Sequence, residues 1–289
     1  MPKSFPCFSM LLISMACTAH GAAVHVPVRL EFHHYDLPTV NMLNAGQYNS
    51  INTETNVLLF EQLVKPIRLI EVPVARSELM MSGKKPICTL DKVKNSSRVE
   101  KYLFSKPVNF YLGYRLYQLS ESPALAEALL NSHGQVKSIA EVMQATPGAQ
   151  LLVPKYISFG DVLDQQIRQL PSKQVSPLSA PLYDSHFIGM FASKRAEFAI
   201  AYPTEMSLFL SRKRGVSVRS YAIADVPELI TGHLMCANTA STKAFIQAVD
   251  RVLVTLYRDD RFILAHTRYL EQEDASQLSR LISHYADQE

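Results

Sequence analysis

Residues 86–119, PICTLDKVKNSSRVEKYLFSKPVNFYLGYRLYQL, hold the pattern that decides the fold. An apolar, strand-like piece gives way to a polar loop, and that loop carries one arginine, Arg98. The motif FSKP at residues 104–107 follows, and a long aromatic stretch typical of a β-strand comes after it. The loop places a single guanidinium beyond a strand, with no catalytic triad or metal-ligand cluster in the sequence around it.

The composition is that of an ordinary globular protein. The chain has 289 residues, of which 47% are hydrophobic and 19% are charged, so it is large enough for one big domain or two lobes. The formal net charge is +3, and the strongest basic cluster, residues 212–214, is short and has no interleaved aromatic residues. A nucleic-acid partner is therefore not expected.

The N-terminus has the pattern of a secretory signal peptide. Lys3 supplies a positive charge, residues 5–17 supply an apolar segment, and small residues follow within residues 19–23. The apolar segment is too short and too interrupted for a membrane span. We expect residues 1–23 to be removed and the mature protein to be exported to the periplasm. A lipoprotein signal at Cys17 is the disfavoured alternative, because Ser14 stands where such signals usually have leucine.

Removal of the signal would leave two of the four cysteines, Cys88 and Cys236. In an oxidising compartment these two residues could form one bridge that closes a long loop. The chain-entropy model credits such a loop with about 4–5 kcal/mol of stability. The alternative is two separate buried thiols.

Strand and helix patterns alternate along the chain, which predicts an α/β fold. The first part has a strand pattern, a helical pattern, a strand, a short helix and a strand, at residues 26–32, 53–64, 67–72, 76–82 and 87–88. The pattern restarts in the middle, at residues 138–141, 150–154, 159–170, 186–192 and 198–201. Helical patterns then fill the C-terminal part, at residues 241–257, 261–270 and 275–285.

The order and spacing of these segments resemble the type II periplasmic solute-binding proteins. The closest group is family 3, the polar amino-acid binders of ABC importers, together with its divergent relatives. Residues 86–119 carry the resemblance first. Further segments match the family's second lobe and closing strand: SIAEV at residues 138–142, SFGDVLD at residues 158–164, SKRAEFAIA at residues 193–201 and GHLMCANT at residues 232–239.

The resemblance implies two lobes joined by two hinge strands, with a cleft between the lobes. Lobe 1 would comprise residues 24–108 and 224–289, and lobe 2 would comprise residues 113–217. The hinge crossings would fall near residues 108–112 and 217–223. Both remaining cysteines would then belong to lobe 1, which favours a Cys88–Cys236 bridge.

The resemblance also implies a role for Arg98. In the family, the matching arginine binds the carboxylate of the ligand, and the planar guanidinium suits a planar carboxylate because two parallel hydrogen bonds form. The alternative is an ordinary surface arginine near Glu100 and Lys101.

Two positions depart from the family pattern. Val93 stands where a serine or threonine hydroxyl is usual, and Tyr202 stands where an aspartate contacts the ligand's ammonium group. Glu205, three residues further on, is a candidate substitute for that aspartate. These departures favour a carboxylate-bearing or other small polar solute over a standard amino acid. Four more candidates for the cleft follow from position, and for each of them loop capping or core packing is the alternative: Tyr35, Asp36, Ser158 and Phe159.

We therefore expect a monomeric periplasmic solute-binding protein that delivers a small polar, carboxylate-bearing solute to an inner-membrane ABC permease. One alternative is a periplasmic sensor accessory that docks on a receptor. A less favoured alternative is a dehydratase-like enzyme that uses Glu197 or Glu205. Neither a cofactor nor a metal is expected, because the adjacent His33 and His34 would point to opposite faces of a strand.

Overall fold

The structure is a computed structural model that describes residues 25–26, 29–64, 67–154, 159–178 and 185–289. The expected signal peptide, residues 1–23, lies outside the described residues. No helix in the described ranges has both the length and the apolar composition needed to cross a bilayer.

The described strands form two five-stranded sheets. In chain order they are β1 (Glu31–His34), β2 (Leu69–Glu71), β3 (Ile87–Lys92), β4 (Tyr102–Leu112), β5 (Arg115–Leu119), β6 (Leu151–Pro154), β7 (Val175–Leu178), β8 (Phe198–Ala201), β9 (Val218–Ala222) and β10 (Leu229–Ala237). Sheet 1 has the order β2-β1-β3-β10-β4, and sheet 2 has the order β7-β6-β8-β5-β9. Each sheet is mixed: three neighbouring strands are parallel, and the other two are antiparallel to the strands that they pair with.

Helices connect the strands and cover the sheets. In chain order they are α1 (Leu37–Asn44), α2 (Ile51–Phe60), α3 (Val74–Ser82), α4 (Ser96–Val99), α5 (Ile139–Ala145), α6 (Asp161–Gln169), α7 (Ser185–Ala192), α8 (Pro203–Arg212), α9 (Ala240–Leu256), α10 (Asp260–Thr267) and α11 (Gln272–Asp287). We call sheet 1 with α1–α4 and α9–α11 lobe 1, and sheet 2 with α5–α8 lobe 2. This architecture confirms the predicted α/β fold of two lobes.

The chain passes twice between the lobes. The outward crossing joins β4 to β5, and the return crossing joins β9 to β10 through residues 223–228. Val218–Ala222, which the sequence placed in the return crossing, is a strand that pairs with β5 in sheet 2. The lobe limits expected from the resemblance stay a prediction in their detail.

The two crossings contact each other at Gly113. Its N–H donates a hydrogen bond to the carbonyl of Glu228 at 2.8 Å. A Cβ atom at this position would lie 2.1 Å from the carbonyl oxygen of Pro227. Only glycine therefore fits without movement of the backbone. A second contact joins the two lobes. Arg115 Nη2 lies 2.7 Å from Asp274 Oδ1, and this ion pair ties the start of lobe 2 to α11 of lobe 1.

The core of lobe 1 is aromatic and lies between sheet 1 and the C-terminal helices. Phe110 of β4 is fully buried and makes edge-on contacts with Tyr257, Phe262 and Tyr285. Such ring pairs each contribute about 0.5–1.5 kcal/mol beyond the burial of their area. This packing makes β4, which leads into the hinge, a rigid part of lobe 1.

The Cys88–Cys236 disulfide is present, as predicted. The two cysteines are directly opposite each other on the neighbouring strands β3 and β10, and both are fully buried. They are 148 residues apart in sequence. Cross-linking a loop of that size removes about 5 kcal/mol of chain entropy from the unfolded state in the chain-entropy model.

Candidate functional site

The candidate site lies where the parallel strands of the two sheets end. In open α/β sheets, ligands bind beyond the carboxyl ends of such strands. His34 ends β1 and Tyr35 follows it, Lys92 ends β3, and Tyr202 directly follows β8. Polar and aromatic side chains from both lobes therefore lie at the edges that the two crossings bring together.

An aromatic stack links the lobes beside the hinge. The ring of Tyr202 stacks on Tyr114 with centroids 3.9 Å apart, and on Tyr111 of β4 with centroids 5.1 Å apart. Phe159 contacts Tyr114 edge-on at 5.0 Å. All four rings are buried. The structure thus brings two of the predicted site residues, Phe159 and Tyr202, into one cluster with a residue of lobe 1.

Glu205 is half-buried at the start of α8, next to this stack. Its Oε2 accepts a hydrogen bond from the backbone N–H of Tyr202 at 3.3 Å. Its Oε1 is buried without a hydrogen-bond partner, and the same is true of the hydroxyl of Thr204. Burial raises the pKa of Glu205 to about 8, and the hydrogen bond from Tyr202 only partly opposes this shift. At neutral pH the side chain is therefore mostly a neutral carboxylic acid.

Tyr35 lies close to acidic groups of both lobes. Burial raises the pKa of its hydroxyl, and the carboxylates of Asp91, Asp36 and Glu205 raise it further. His34 stacks on the Tyr35 ring at 4.7 Å, and the ammonium group of Lys92 lies 5.6 Å from the ring centroid. Acidic groups of both lobes therefore act on the Tyr35 hydroxyl.

Asp91 is a half-buried acid that the sequence analysis did not identify. It has φ +56°, the left-handed region that aspartate adopts more readily than most residues. Its Oδ1 accepts a hydrogen bond from Asn56 Nδ2 of α2 at 2.8 Å, while Oδ2 is buried without a partner. Burial raises the pKa of Asp91, and the nearby His34 and the contacts with Asn56 and Asn52 oppose that shift. Burial lowers the pKa of His34 in turn.

Asn52 connects this acid to the hinge. The Tyr111 hydroxyl lies 2.5 Å from Asn52 Oδ1, and Asn56 Nδ2 donates both to the carbonyl of Asn52 at 2.7 Å and to Asp91 Oδ1. Since Tyr111 stacks on Tyr202, a continuous set of contacts runs from Asp91 in lobe 1 to α8 in lobe 2.

Arg98 lies at the side of this region. Its Nη1 donates to the carbonyl of Val93 at 3.3 Å, and its Nη2 lies 3.8 Å from Glu78 Oε1. The Arg98 side chain is 29% exposed. Glu78 also lines a small cavity of about 10 Å³, together with Tyr35 and Lys92. That volume has room for about one water molecule. Arg98 is not among the residues that line the cavity, so it lies beside the cavity and not inside it.

The other predicted positions have different outcomes. Asp36 caps the N-terminus of α1, because its Oδ2 accepts a hydrogen bond from the N–H of Thr39 at 2.8 Å. This contact corresponds to the loop-capping alternative. Ser158 lies outside the described residues. Within the described ranges, no group of three or more histidine, cysteine, aspartate or glutamate side chains is arranged to hold a metal ion.

No protein-family model and no curated protein matches the sequence. Solved structures do match the fold. A protein from the Streptococcus mutans system that imports glutathione through GshT and the cystine ABC importer TcyBC is similar over 87% of this chain and 99% of its own, with 15% identity and a TM-score of 0.58. The probable amino-acid ABC transporter extracellular-binding protein ytmK of Bacillus subtilis is similar over 87% of this chain and 99% of its own, with 12% identity and a TM-score of 0.57.

A histidine kinase sensor domain with similarity to periplasmic binding proteins has the same fold, and it is similar over 83% of this chain and 95% of its own, with 10% identity and a TM-score of 0.57. The periplasmic domain of BvgS from B. pertussis is similar over 92% of this chain and 46% of its own length, with 15% identity and a TM-score of 0.57. At these identities the similarity concerns the fold alone. The chain therefore has the two-lobed fold of the type II periplasmic solute-binding proteins, as the resemblance in its sequence predicted.

Proposed function

We propose that this chain is a periplasmic solute-binding protein that captures a small polar solute between its lobes and delivers it to an inner-membrane ABC permease. The observation that carries the proposal is the aromatic stack that joins the lobes beside the hinge, where Tyr111 of lobe 1 packs on Tyr202 of lobe 2 and Glu205 has a buried oxygen without a partner. A site divided in this way is complete when the lobes are together. Two of the similar structures are ABC transporter proteins, which supports the importer as partner.

The mechanism is lobe closure about the crossings at Gly113 and residues 223–228. A solute that contacts both lobes binds the closed form more tightly than the open form, and this difference in affinity shifts the population toward closure. The closed form then presents both lobes together to the permease.

Arg98 is our candidate for the carboxylate of the solute. Its contacts with Val93 and Glu78 are longer than the 2.7–2.9 Å typical of charge-assisted hydrogen bonds. Little energy is therefore lost if the guanidinium turns toward a ligand. A hydrogen bond to a carboxylate contributes roughly 1.5–3 kcal/mol.

A thermal-shift screen with a library of small polar solutes tests both points. A solute at 100 times its dissociation constant adds about 2.7 kcal/mol of stability, which a melting experiment detects. Arg98→Ala should weaken the shift given by a carboxylate-bearing hit. Arg76→Ala, which removes an exposed arginine of α3, should leave it unchanged. An equal shift in the parent and Arg98→Ala would refute the role of Arg98.

The second candidate is a periplasmic sensor accessory that docks on a receptor, and the similarity to a histidine kinase sensor domain favours it. The two candidates differ in the effect of deleting the gene. Loss of uptake of the labelled hit supports the importer, and normal uptake with a lost transcriptional response to the hit supports the sensor. A catalytic role for Glu205 or Glu197 finds no support in the compared transporter and sensor structures.

A further inference from the structure

Two irregularities in sheet 1 lie on either side of β10. The register between β3 and β10 shifts between His233 and Met235, and the register between β10 and β4 also shifts between Gly232 and His233. Asp91 lies in the first irregularity and has φ +56°, and Asn109, which pairs with Gly232, borders the second. Such bulges re-aim side chains and are often found next to binding sites.

The side chains at both irregularities are hydrogen-bonded to the same turn of α2. Asn56 Nδ2 donates to Asp91 Oδ1 at 2.8 Å, and Asn109 Nδ2 donates to Thr55 Oγ1 at 2.6 Å. A Cβ atom on Gly232 would lie 2.6 Å from Asn109 Oδ1, so that oxygen lies over the backbone of β10, the strand between β3 and β4. The polar side chains of β3, β4 and α2 therefore meet over this glycine.

Three oxygen atoms of this group are buried without a hydrogen-bond partner: Asp91 Oδ2, Asn56 Oδ1 and Asn109 Oδ1. Both asparagines are fully buried. Buried polar atoms in folded proteins nearly always have a partner, because an unpaired one is costly. A single water molecule can donate only two hydrogen bonds, so it would leave one of the three oxygens unpaired.

The neighbouring hydrogen bonds fix the orientation of both amides. Asn56 Nδ2 also donates to the carbonyl of Asn52 at 2.7 Å. Thr55 Oγ1 donates its proton to the carbonyl of Ile51 at 2.8 Å, so it can only accept from Asn109. Turning either amide would place an oxygen against an acceptor. The unpaired atoms are therefore oxygens and not misassigned nitrogens.

We propose that lobe 1 binds a monovalent metal cation, Na⁺ or K⁺, through Asp91 Oδ2, Asn56 Oδ1 and Asn109 Oδ1. We call these three atoms the bulge site. Carboxylate and amide oxygens are ligands that hard cations prefer. One carboxylate balances one positive charge, whereas a divalent ion would leave a buried positive charge without a partner. Any proton on the carboxyl group passes to solvent when the cation enters. This site is separate from the proposed solute function. No metal was expected from the sequence, because asparagines form no recognisable metal motif.

The basic side chains near Asp91 do not occupy the bulge site. Burial lowers the pKa of His34, so its imidazole is mostly neutral at neutral pH. Lys92 lines the small cavity on the α3 side of the sheet together with Ser77, and its ammonium group lies 5.6 Å from the centroid of the Tyr35 ring. Among the described residues, the side-chain partner of Asp91 is Asn56, and Oδ2 has none.

The test measures thermal unfolding of the full mature chain in sodium, potassium and choline chloride at one ionic strength. Choline is too large for a buried site between packed side chains. Asp91→Asn removes the charge, and its amide nitrogen can donate to Asn56 Oδ1 in place of the cation. Asparagine tolerates a left-handed backbone, so this variant should fold. Asp225→Asn is the matched control, because Asp225 is exposed and also has a left-handed backbone, with φ +62°.

We expect the Tm of the parent to be at least about 3 °C higher in sodium or potassium chloride than in choline chloride, with a saturable dependence on the cation. Asp225→Asn should behave as the parent does. Asp91→Asn should have the same Tm in the three salts. Asn109→Ala removes another ligand oxygen and should raise the cation concentration at the midpoint by at least about tenfold. This second variant localises the ion even if Asp91→Asn does not fold.

Four results overturn the proposal. Equal Tm values of the parent in all three salts show that no monovalent cation binds. An equal salt effect in the parent, Asp91→Asn and Asn109→Ala places the ion elsewhere. Saturable stabilisation by calcium chloride alone assigns a divalent ion. If the unfolding free energy of the parent depends on pH but not on the cation, and Asp91→Asn removes the pH dependence, a proton shared between Asp91 and Asn56 takes the place of the metal.

Discussion

Replacing Glu205 with glutamine should stabilise the empty protein at neutral and alkaline pH. Glutamine keeps the shape of the side chain, and its carbonyl oxygen can still accept the hydrogen bond from the N–H of Tyr202. The change removes a carboxyl group that must either keep its proton or bury a charge. The unfolding free energy of Glu205→Gln should therefore exceed that of the parent by an amount that increases with pH.

The magnitude follows from the pKa. Burial raises the pKa of Glu205 from 4.5 to about 8 in the folded state. A raised folded-state pKa gives stability that is complete below the unfolded-state pKa and is lost as pH rises through the folded-state value. At pH 7 the raised pKa of Glu205 therefore lowers the unfolding free energy of the parent by at most about 3 kcal/mol. For a chain of this size, that corresponds to a shift of about 6–12 °C in Tm.

Urea unfolding followed by circular dichroism, from about pH 5 to pH 9, measures the effect. The difference in unfolding free energy between Glu205→Gln and the parent should be small at about pH 5 and should increase toward pH 9. Glu141→Gln makes the same chemical change at an exposed site and should stay within about 0.5 kcal/mol of the parent. A Glu205→Gln profile parallel to that of the parent would show that Glu205 is solvated in the empty protein.

Three further changes test the hinge, the core and the disulfide. Gly113→Ala should destabilise the protein by about 1–3 kcal/mol and weaken solute binding, because the new Cβ meets the carbonyl of Pro227 at 2.1 Å; calorimetry and urea unfolding would both detect this. Unchanged values would show that the crossing adapts freely. Burial lowers the pKa of His266 to about 4, so the unfolding free energy should decrease as pH falls from about 6.5 to about 4. In His266→Gln the unfolding free energy should depend less on pH over this range. The double change Cys88→Ser, Cys236→Ser should lower the unfolding free energy by up to about 5 kcal/mol in urea, whereas a loss below about 1 kcal/mol would contradict the loop-entropy argument.

Periodicity predicted much of the fold. The apolar run of β8 and the amphipathic pattern of α9 were assigned nearly to the residue, because each buries a continuous face. Three helices were not predicted, α1, α4 and α8. Helices α1 and α8 both have proline in the first turn. Proline was taken as a sign of loops, although its fixed φ and missing N–H suit the first turn of a helix.

The site was less predictable than the fold. Tyr202, Glu205 and Phe159 were placed by resemblance, and the structure brings them to one hinge region. Asp91 was not predicted because its importance depends on Asn56, a residue 35 positions away on α2. No local pattern reports such a contact. The backbone contact at Gly113 likewise depends on a segment of the chain more than 100 residues away.

The position of the disulfide has a consequence for damage to the protein. Lobe 1 is assembled from two separated pieces of chain, and the Cys88–Cys236 bond staples those pieces together upstream of the outward crossing and downstream of the return crossing. The disulfide closes a covalent loop from residue 88 to residue 236, and lobe 2 lies within that loop. A protease that nicks lobe 2 leaves both halves of lobe 1 attached, so the nicked molecule would run as two fragments on a gel only after reduction.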